Sequence, residues 1–134
     1  MSVRRIPQGQ VYTMRRVGGH TRVLSAGTHL VVPLLERVAH KIQLTGNMLA
    51  FDTASASTAP MRATLYFQVI EPERADPVID GVSDLLHSRV NQLLGDAALP
   101  PDLLERRHWL KQTINSELRE RGLLVTRVEL DNAA

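Results

Sequence analysis

Histidine is the residue type in this sequence best suited to metal binding or proton transfer, and the chain holds five of them. His20, His29 and His40 are separated by nine and eleven residues, spacings that match neither one helix face nor a short ligand loop. His87 and His108 lie in predicted helices and have no acidic residue four positions on. We therefore interpret all five as ordinary surface or half-buried side chains, with a small metal-dependent hydrolase as a remote alternative.

Other catalytic groups are also lacking. The sequence has no cysteine, which excludes disulfides, thiolate metal sites and cysteine nucleophiles. No serine lies in a Gly-x-Ser-x-Gly elbow, and Gly18-Gly19 is too short a glycine run to cradle a phosphate. We expect a protein that is not an enzyme, with no cofactor and no metal.

Strands dominate the first half of the chain. Two β-branched or aromatic segments flank Gly18-Gly19, a pair that supplies the positive φ angles of a tight hairpin turn. A third strand follows Gly27 and is predicted to end at Pro33. We expect a fourth, long strand over residues 36–49 with a bend at Gly46-Asn47, and an exposed loop over residues 55–59. Over residues 61–70 the apolar Ala63, Leu65, Phe67 and Val69 fall on one face and Arg62, Thr64, Tyr66 and Gln68 on the other, which predicts a central strand.

Helices dominate the second half. Residues 73–78 allow only a short helical turn, and the apolar spacing after Gly81 predicts a helix that ends at Gly95. A further helix is predicted after Pro100-Pro101, with Asp102 as its amino-terminal cap and Gly122 as its left-handed carboxy-terminal cap. Valines and leucines beyond Gly122 predict a returning strand.

The predicted fold class is α+β. We expect one antiparallel twisted sheet of about five to six strands packed with about two to three helices. With 134 residues and 43% hydrophobic content the chain can build one core, so we assign residues 1–134 to a single domain. This domain is strand-rich over 7–70, helical over 73–121 and closed by a strand over 123–131.

Short sequence motifs occur in an order that resembles the SPFH or band 7 domain of stomatins, prohibitins and flotillins. The motifs are Ile6-Pro7-Gln8-Gly9, Arg16-Val17-Gly18, residues 26–33 (AGTHLVVP), Leu35-Glu36-Arg37-Val38, Glu71-Pro72 and the closing residues 122–130 (GLLVTRVEL). Ala26 replaces the family's proline, and residues 52–60 lack its Thr-Lys-Asp turn. The chain thus resembles a divergent and abridged member.

The resemblance implies a non-catalytic scaffold that forms a homo-oligomer or joins a hetero-complex with an SPFH-type protein. Such proteins organise membrane microdomains and regulate proteases or channels. The alternative that stays open is a soluble adaptor that regulates a larger SPFH assembly or a membrane protease. No segment reaches the roughly 18 to 20 apolar residues of a membrane-spanning helix, so we expect a cytoplasmic chain, peripheral at most at the inner face of a membrane.

Charge is unevenly distributed along the sequence. Residues 1–50 hold seven basic residues and one acidic residue, a net charge of +6, whereas the remaining 84 residues hold nine basic and 13 acidic ones, a net charge of −4. The basic half suits an anionic membrane surface or an acidic face of a second subunit, and a solvated strand face is the plain alternative. The candidate contact residues are Arg4, Arg5, Arg15, Arg16 and Arg22.

A second candidate interface lies on the last predicted helix. Trp109 is flanked by basic residues, and aromatic and arginine side chains dominate interface hot spots. Packing of Trp109 on its own sheet is the alternative. We name Arg106, Trp109 and Lys111 as interface candidates. Nucleic-acid binding is not expected, because the arginines lack interleaved aromatic residues.

Overall fold

The computed structural model describes residues 2–31, 36–55 and 58–132. Within these ranges the chain forms eight antiparallel strands in three small sheets, accompanied by two helices longer than two turns. The α+β class is therefore confirmed. The single sheet of five to six strands is wrong.

The first sheet is a two-stranded ribbon in which β1 (Ser2–Ile6) pairs with β4 (Gly27–Val31). The second sheet has β2 (Gln10–Arg16) at its centre, between β3 (Thr21–Leu24) and β5 (Glu36–Gln43). Gly18 and Gly19 take φ angles of 100° and 90° in the turn between β2 and β3, as the sequence predicts. The strand β1 was not predicted, and Pro33 lies outside the described residues.

The third sheet places β7 (Thr58–Val69) between β6 (Asn47–Ser55) and β8 (Leu123–Asn132), so the prediction of a central strand here is confirmed. The exposed loop predicted over residues 55–59 is wrong in extent, because Ser55 and Thr58 already pair with each other across the strands. Residues 56 and 57 lie outside the described ranges.

The long strand predicted over residues 36–49 is divided between two sheets. Gly46, at φ 75°, turns the chain after β5, so β5 pairs with β2 whereas β6 pairs with β7. Leu44 joins the two sheets between these strands. Its N–H donates to the Gly9 carbonyl at 2.9 Å, and its carbonyl accepts from the Val69 N–H at 2.8 Å.

A short helix, α1 (Pro72–Ala75), leads through a 3-10 helix (Asp76–Gly81) into α2 (Val82–Leu94). The helix α3 (Leu103–Leu118) begins at Asp102, whose side chain accepts from the Glu105 N–H at 3.1 Å. After a 3-10 turn (Arg119–Arg121), Gly122 takes a left-handed conformation with φ 69°. The predicted amino-terminal cap is thus confirmed, and the left-handed Gly122 caps the 3-10 turn, whereas α3 itself ends with Arg119 as its cap.

The main hydrophobic cluster joins α2 and α3 to the third sheet and includes Val11 and Ile42 of the second sheet. A smaller cluster lies between the first two sheets and consists of Ile6, Tyr12, Met14, Leu24 and Val31. Among the described residues, no helix is both long enough and apolar enough to cross a bilayer.

Candidate functional site

A groove of about 780 Å³ runs between α3 and the outer edge of β8. Leu110, Ile114 and Leu118 repeat at helical spacing and are buried, so they fix which face of α3 packs on the sheet. Leu104, by contrast, is 71% exposed. The groove is lined by Pro100, Leu104, Glu105, Arg107, His108, Trp109, Lys111, Gln112, Thr126, Arg127 and Val128.

Trp109 has two roles. Its side chain is half-buried and packs against the main hydrophobic cluster, and it also lines the groove. The two interpretations of Trp109 from the sequence, core packing and interface anchor, are therefore compatible. An aromatic side chain held by its own sheet presents a fixed apolar surface, which costs little side-chain entropy on binding.

Two polar side chains of α3 bind the outer backbone edge of β8. Asn115 donates to the Val125 carbonyl at 2.9 Å and accepts from the Val125 N–H at 2.7 Å. Arg107 donates to the Leu130 carbonyl at 2.8 Å. These contacts hold α3 and β8 together on both sides of the stretch 126–128 that lines the groove.

Cations and carboxylates are both present around the groove. Arg107, Lys111 and Arg127 line it together with a single acidic residue, Glu105. Arg127 forms an ion pair with Glu129 and is 69% exposed, so its charge is largely solvated. Arg107 lies 3.7 Å from a carboxylate oxygen of Asp131. The groove is accordingly apolar, and its arginines are largely balanced by neighbouring carboxylates.

Two of the three interface residues proposed from the sequence, Trp109 and Lys111, line this groove. Arg106 instead donates to the Pro100 carbonyl at 2.6 Å and so ties the start of α3 to the preceding turn. Arg107 was missed in the sequence. No local pattern distinguishes these adjacent arginines, because only the position of β8 decides which of them reaches a strand.

The five candidate arginines of the amino-terminal half fall into two groups. Arg16 and Arg22 lie 3.6 Å and 3.0 Å from the carboxylate of Glu36, which is buried. Arg15 lies 3.7 Å from the buried carboxylate of Asp76. These three side chains stabilise buried charges and are thereby committed to the fold.

Arg4 and Arg5 are exposed on β1, away from those buried carboxylates. The β1–β4 register pairs Val3 with Leu30 and Arg5 with Thr28, so these four side chains share one face of the ribbon. Val3 and Leu30 are each 63% exposed. One face of the ribbon therefore presents an apolar pair beside Arg5, which we call the ribbon patch (Val3, Arg5 and Leu30), whereas Arg4, which pairs with His29, lies on the other face.

His40 is half-buried, as expected, but it takes part in a polar network that the sequence did not reveal. Its Nδ1 lies 2.6 Å from Oδ1 of Asp76, and its Nε2 lies 2.9 Å from Oδ2 of Asp80. The hydroxyl of Thr13 also donates to Asp76, whose carboxylate is buried. These contacts join β2 and β5 to the 3-10 helix that leads into α2.

The network shifts the pKa values of both central groups. Burial disfavours the charged form of His40, but the hydrogen bonds to Asp80 and Asp76 and the charges of those carboxylates outweigh it, so the His40 pKa is raised. Burial likewise opposes ionisation of Asp76. Hydrogen bonds from Thr13 and His40 and the charges of His40 and Arg15 prevail, so the Asp76 pKa is lowered.

The other histidines do not cluster. His29 contacts the Ser25 carbonyl at 2.7 Å, and the His87 ring lies 4.3 Å from that of Phe51, centroid to centroid. His20 is exposed beyond the β2–β3 turn. Over the part of the chain that the structure describes, no group of three or more His, Asp or Glu side chains is arranged to hold a metal ion.

Comparison with known proteins gives relatives without an assigned activity. The chain is 30% identical over 146 aligned positions to uncharacterized proteins of Mycobacterium tuberculosis and Mycobacterium bovis. It is 25% identical over 137 positions to an uncharacterized protein of Schizosaccharomyces pombe. These alignments cover 96% and 93% of this chain but only 37% and 39% of the relatives, so the chain spans little more than a third of their length. No protein-family model matches the chain.

Proposed function

We propose that this chain is a non-catalytic scaffold or protein-interaction domain of the stomatin and prohibitin type. The order of its strand and turn motifs supports the resemblance to stomatins and prohibitins. The ribbon patch is the observation that supports a role in protein interaction. Two exposed apolar side chains on neighbouring strands, next to Arg5, form a surface suited to association. Both strands of this sheet are also edge strands in the described structure, and edge strands attract further chains.

Self-association is the form of interaction that we propose first. The basic amino-terminal half can meet the acidic half of a second subunit in a head-to-tail arrangement. The alternative is a soluble adaptor that regulates a larger SPFH assembly or a membrane protease. A chain that stays monomeric but co-elutes with a longer relative would favour this adaptor.

Light scattering behind a sizing column, over a wide concentration range and at two salt concentrations, tests self-association. We expect oligomers that grow with protein concentration and weaken in high salt, because exposed charges are screened over about 8 Å at physiological ionic strength. Leu30→Asp is expected to weaken assembly at least roughly tenfold, since it places a charge in the apolar contact.

Met48→Asp is the matched control, because Met48 is 60% exposed on β6, in a different sheet. Its assembly should equal that of the unchanged chain. A strict monomer at every concentration, or equal loss of assembly in both variants, would contradict self-association through the ribbon patch.

A membrane surface is the second candidate partner for the ribbon patch, because Arg5 is exposed beside Val3 and Leu30 and Arg4 is exposed on the other face of the same strand. A basic residue near an anionic bilayer contributes about 1 kcal/mol. We therefore expect Arg4→Glu with Arg5→Glu to reduce co-sedimentation with phosphatidylserine-containing vesicles at least tenfold.

The control for the vesicle experiment is Arg119→Glu with Arg121→Glu, which removes the same charge from exposed residues after α3. Arg15 and Arg16 are unsuitable, since their reversal would disturb buried ion pairs. If the control pair lowers vesicle binding as much as the ribbon pair, the attraction depends on net charge alone and the ribbon patch is not the membrane site.

A further inference from the structure

The ribbon patch needs a partner surface that differs from itself. Val3 and Leu30 face each other across the two strands, and Arg5 lies diagonally from Leu30 on the same face. Within the described part of the chain, no carboxylate lies within ion-pair distance of Arg5. A contact of the patch with a second patch would add another arginine and no carboxylate, so both charges would remain without a partner. The patch therefore suits a surface that is both apolar and acidic.

A surface of this kind lies where α1 packs beside β3. A hollow of about 410 Å³, which we call the α1 hollow, is lined there by Val23, Glu71, Pro72, Glu73 and Arg74. Val23 and Pro72 are half-buried, so part of each apolar side chain remains accessible. The α1 hollow thus offers apolar contact to an incoming side chain.

The α1 hollow also carries a surplus of negative charge. Arg74 lies 2.9 Å from a carboxylate oxygen of Glu71, so these two charges balance each other. Glu73 is exposed, and no cation among the described residues lies within ion-pair distance of its carboxylate. One carboxylate therefore has no partner in the α1 hollow, as one arginine has none in the ribbon patch.

Three other hollows formed by described residues lack this negative surplus. In the groove between α3 and β8, neighbouring carboxylates balance the arginines, and the lining adds one lysine and one glutamate. A hollow beside His40 is lined by Arg15, Arg37 and Asp80 and is not acidic. Two arginines and two glutamates line a hollow between α2 and α3, so its charges balance. Of these four surfaces, the α1 hollow best complements the ribbon patch.

We propose that the ribbon patch of one copy of the chain docks into the α1 hollow of a second copy. Val3 and Leu30 contact the apolar lining of the hollow, and Arg5 forms an ion pair with Glu73. The patch and the hollow share no residue, so the contact is heterologous and produces a ring or an open chain of subunits. This proposal rests on the proposed self-association and adds the surface that accepts the ribbon patch.

Charge reversal on each side tests the contact by light scattering behind a sizing column. Arg5→Glu alone and Glu73→Arg alone should each weaken assembly about tenfold, because each change places like charges together in the contact. Both side chains are exposed, so the variants are expected to fold, which circular dichroism checks. An equimolar mixture of the two variants should assemble as the unchanged chain does, since every ribbon patch then finds a hollow of opposite charge.

The matched control places two changes in one chain. Arg5→Glu with Glu73→Arg should restore assembly, whereas Arg5→Glu with Asp84→Arg should not. Asp84 is an exposed acidic residue in the first turn of α2, just as Glu73 is in the first turn of α1. Both pairs of changes leave the net charge of the chain unaltered, so only the proposed contact distinguishes them.

Unchanged assembly of the Glu73→Arg variant would overturn the proposal, and so would equal restoration by the pair that includes Asp84→Arg. If the unchanged chain self-associates and Leu30→Asp weakens this, but the mixture of variants stays unassembled, docking into the α1 hollow is wrong and self-association through the ribbon patch stands. A chain that is monomeric at every concentration overturns both.

Discussion

Replacement of Asp76 by alanine is expected to lower the free energy of unfolding by about 3 to 5 kcal/mol, the usual cost of removing one partner from a buried ion pair. The Asp76 carboxylate is 3% exposed and accepts hydrogen bonds from Thr13 and His40. Without it the buried Thr13 hydroxyl loses an acceptor, and Arg15 and His40 lose a counter-ion. Urea unfolding followed by circular dichroism measures the change.

Asp80→Ala is the matched control. Asp80 contacts the same imidazole at 2.9 Å, but its side chain is 88% exposed, so water replaces much of what the variant loses. We expect a cost of no more than about 1 kcal/mol for this exposed pair. Equal costs for the two variants would show that the network does not depend on the buried carboxylate.

The network also predicts the direction of the pH dependence. Because the His40 pKa is raised in the folded state, its stabilising contribution is complete below about pH 6.5 and is lost as pH rises through the folded pKa. Asp76, whose pKa is lowered, contributes at pH values above its ordinary pKa and loses that contribution as pH falls. Asp76→Ala should therefore show a flatter profile than the unchanged chain as pH rises above about 6.5, and a profile of unchanged slope would contradict this assignment.

The second large effect is expected for Gly122→Ala, which should cost about 3 to 4 kcal/mol through steric overlap and backbone strain. Gly122 has φ 69°. A Cβ added at this position would overlap the carbonyl oxygen of Glu71 and would lie only 2.8 Å from the Cβ of Glu71. The Gly122 carbonyl also accepts from the N–H groups of Ile70 and Glu71 at 2.7 and 3.0 Å. Any shift that relieves the overlap must therefore disturb both hydrogen bonds. Thermal unfolding is the measurement.

Gly9→Ala separates backbone strain from steric overlap. Gly9 has φ 82°, but a Cβ there would meet no atom within 4 Å. This variant should lower the free energy of unfolding only by the strain of an alanine in the left-handed conformation, about 1 kcal/mol. If Gly9→Ala and Gly122→Ala lower the melting temperature equally, the close approach to Glu71 has no energetic consequence.

Local features of the fold could be predicted because their causes lie within a few residues. The Gly18-Gly19 turn depends on positive φ angles, which glycine adopts without strain. The start of α3 depends on the Asp102 carboxylate, which accepts from the Glu105 N–H, a group without a partner inside the helix. The alternation over residues 61–70 identified β7 as a central strand because a pleated strand buries every second side chain.

Strand pairing could not be predicted in the same way. The sequence pattern of residues 36–49 is that of one continuous strand. In the structure this segment contributes to two sheets, because β5 pairs with β2 whereas β6 pairs with β7. The candidate arginines show the same limit. Whether an arginine is free for a partner depends on a carboxylate distant in sequence, such as Asp76 for Arg15.

The α+β class, the main turns, the two long helices and the basic character of the amino-terminal half could be predicted from local patterns, since each depends on local conformation or composition. The three sheets, the groove and the His40 network arise from long-range packing. Thr13 and Asp76 are 63 residues apart, and α3 meets β8 only after the chain turns back at Gly122. Contacts of this kind depend on how the elements pack, so no local pattern carries them.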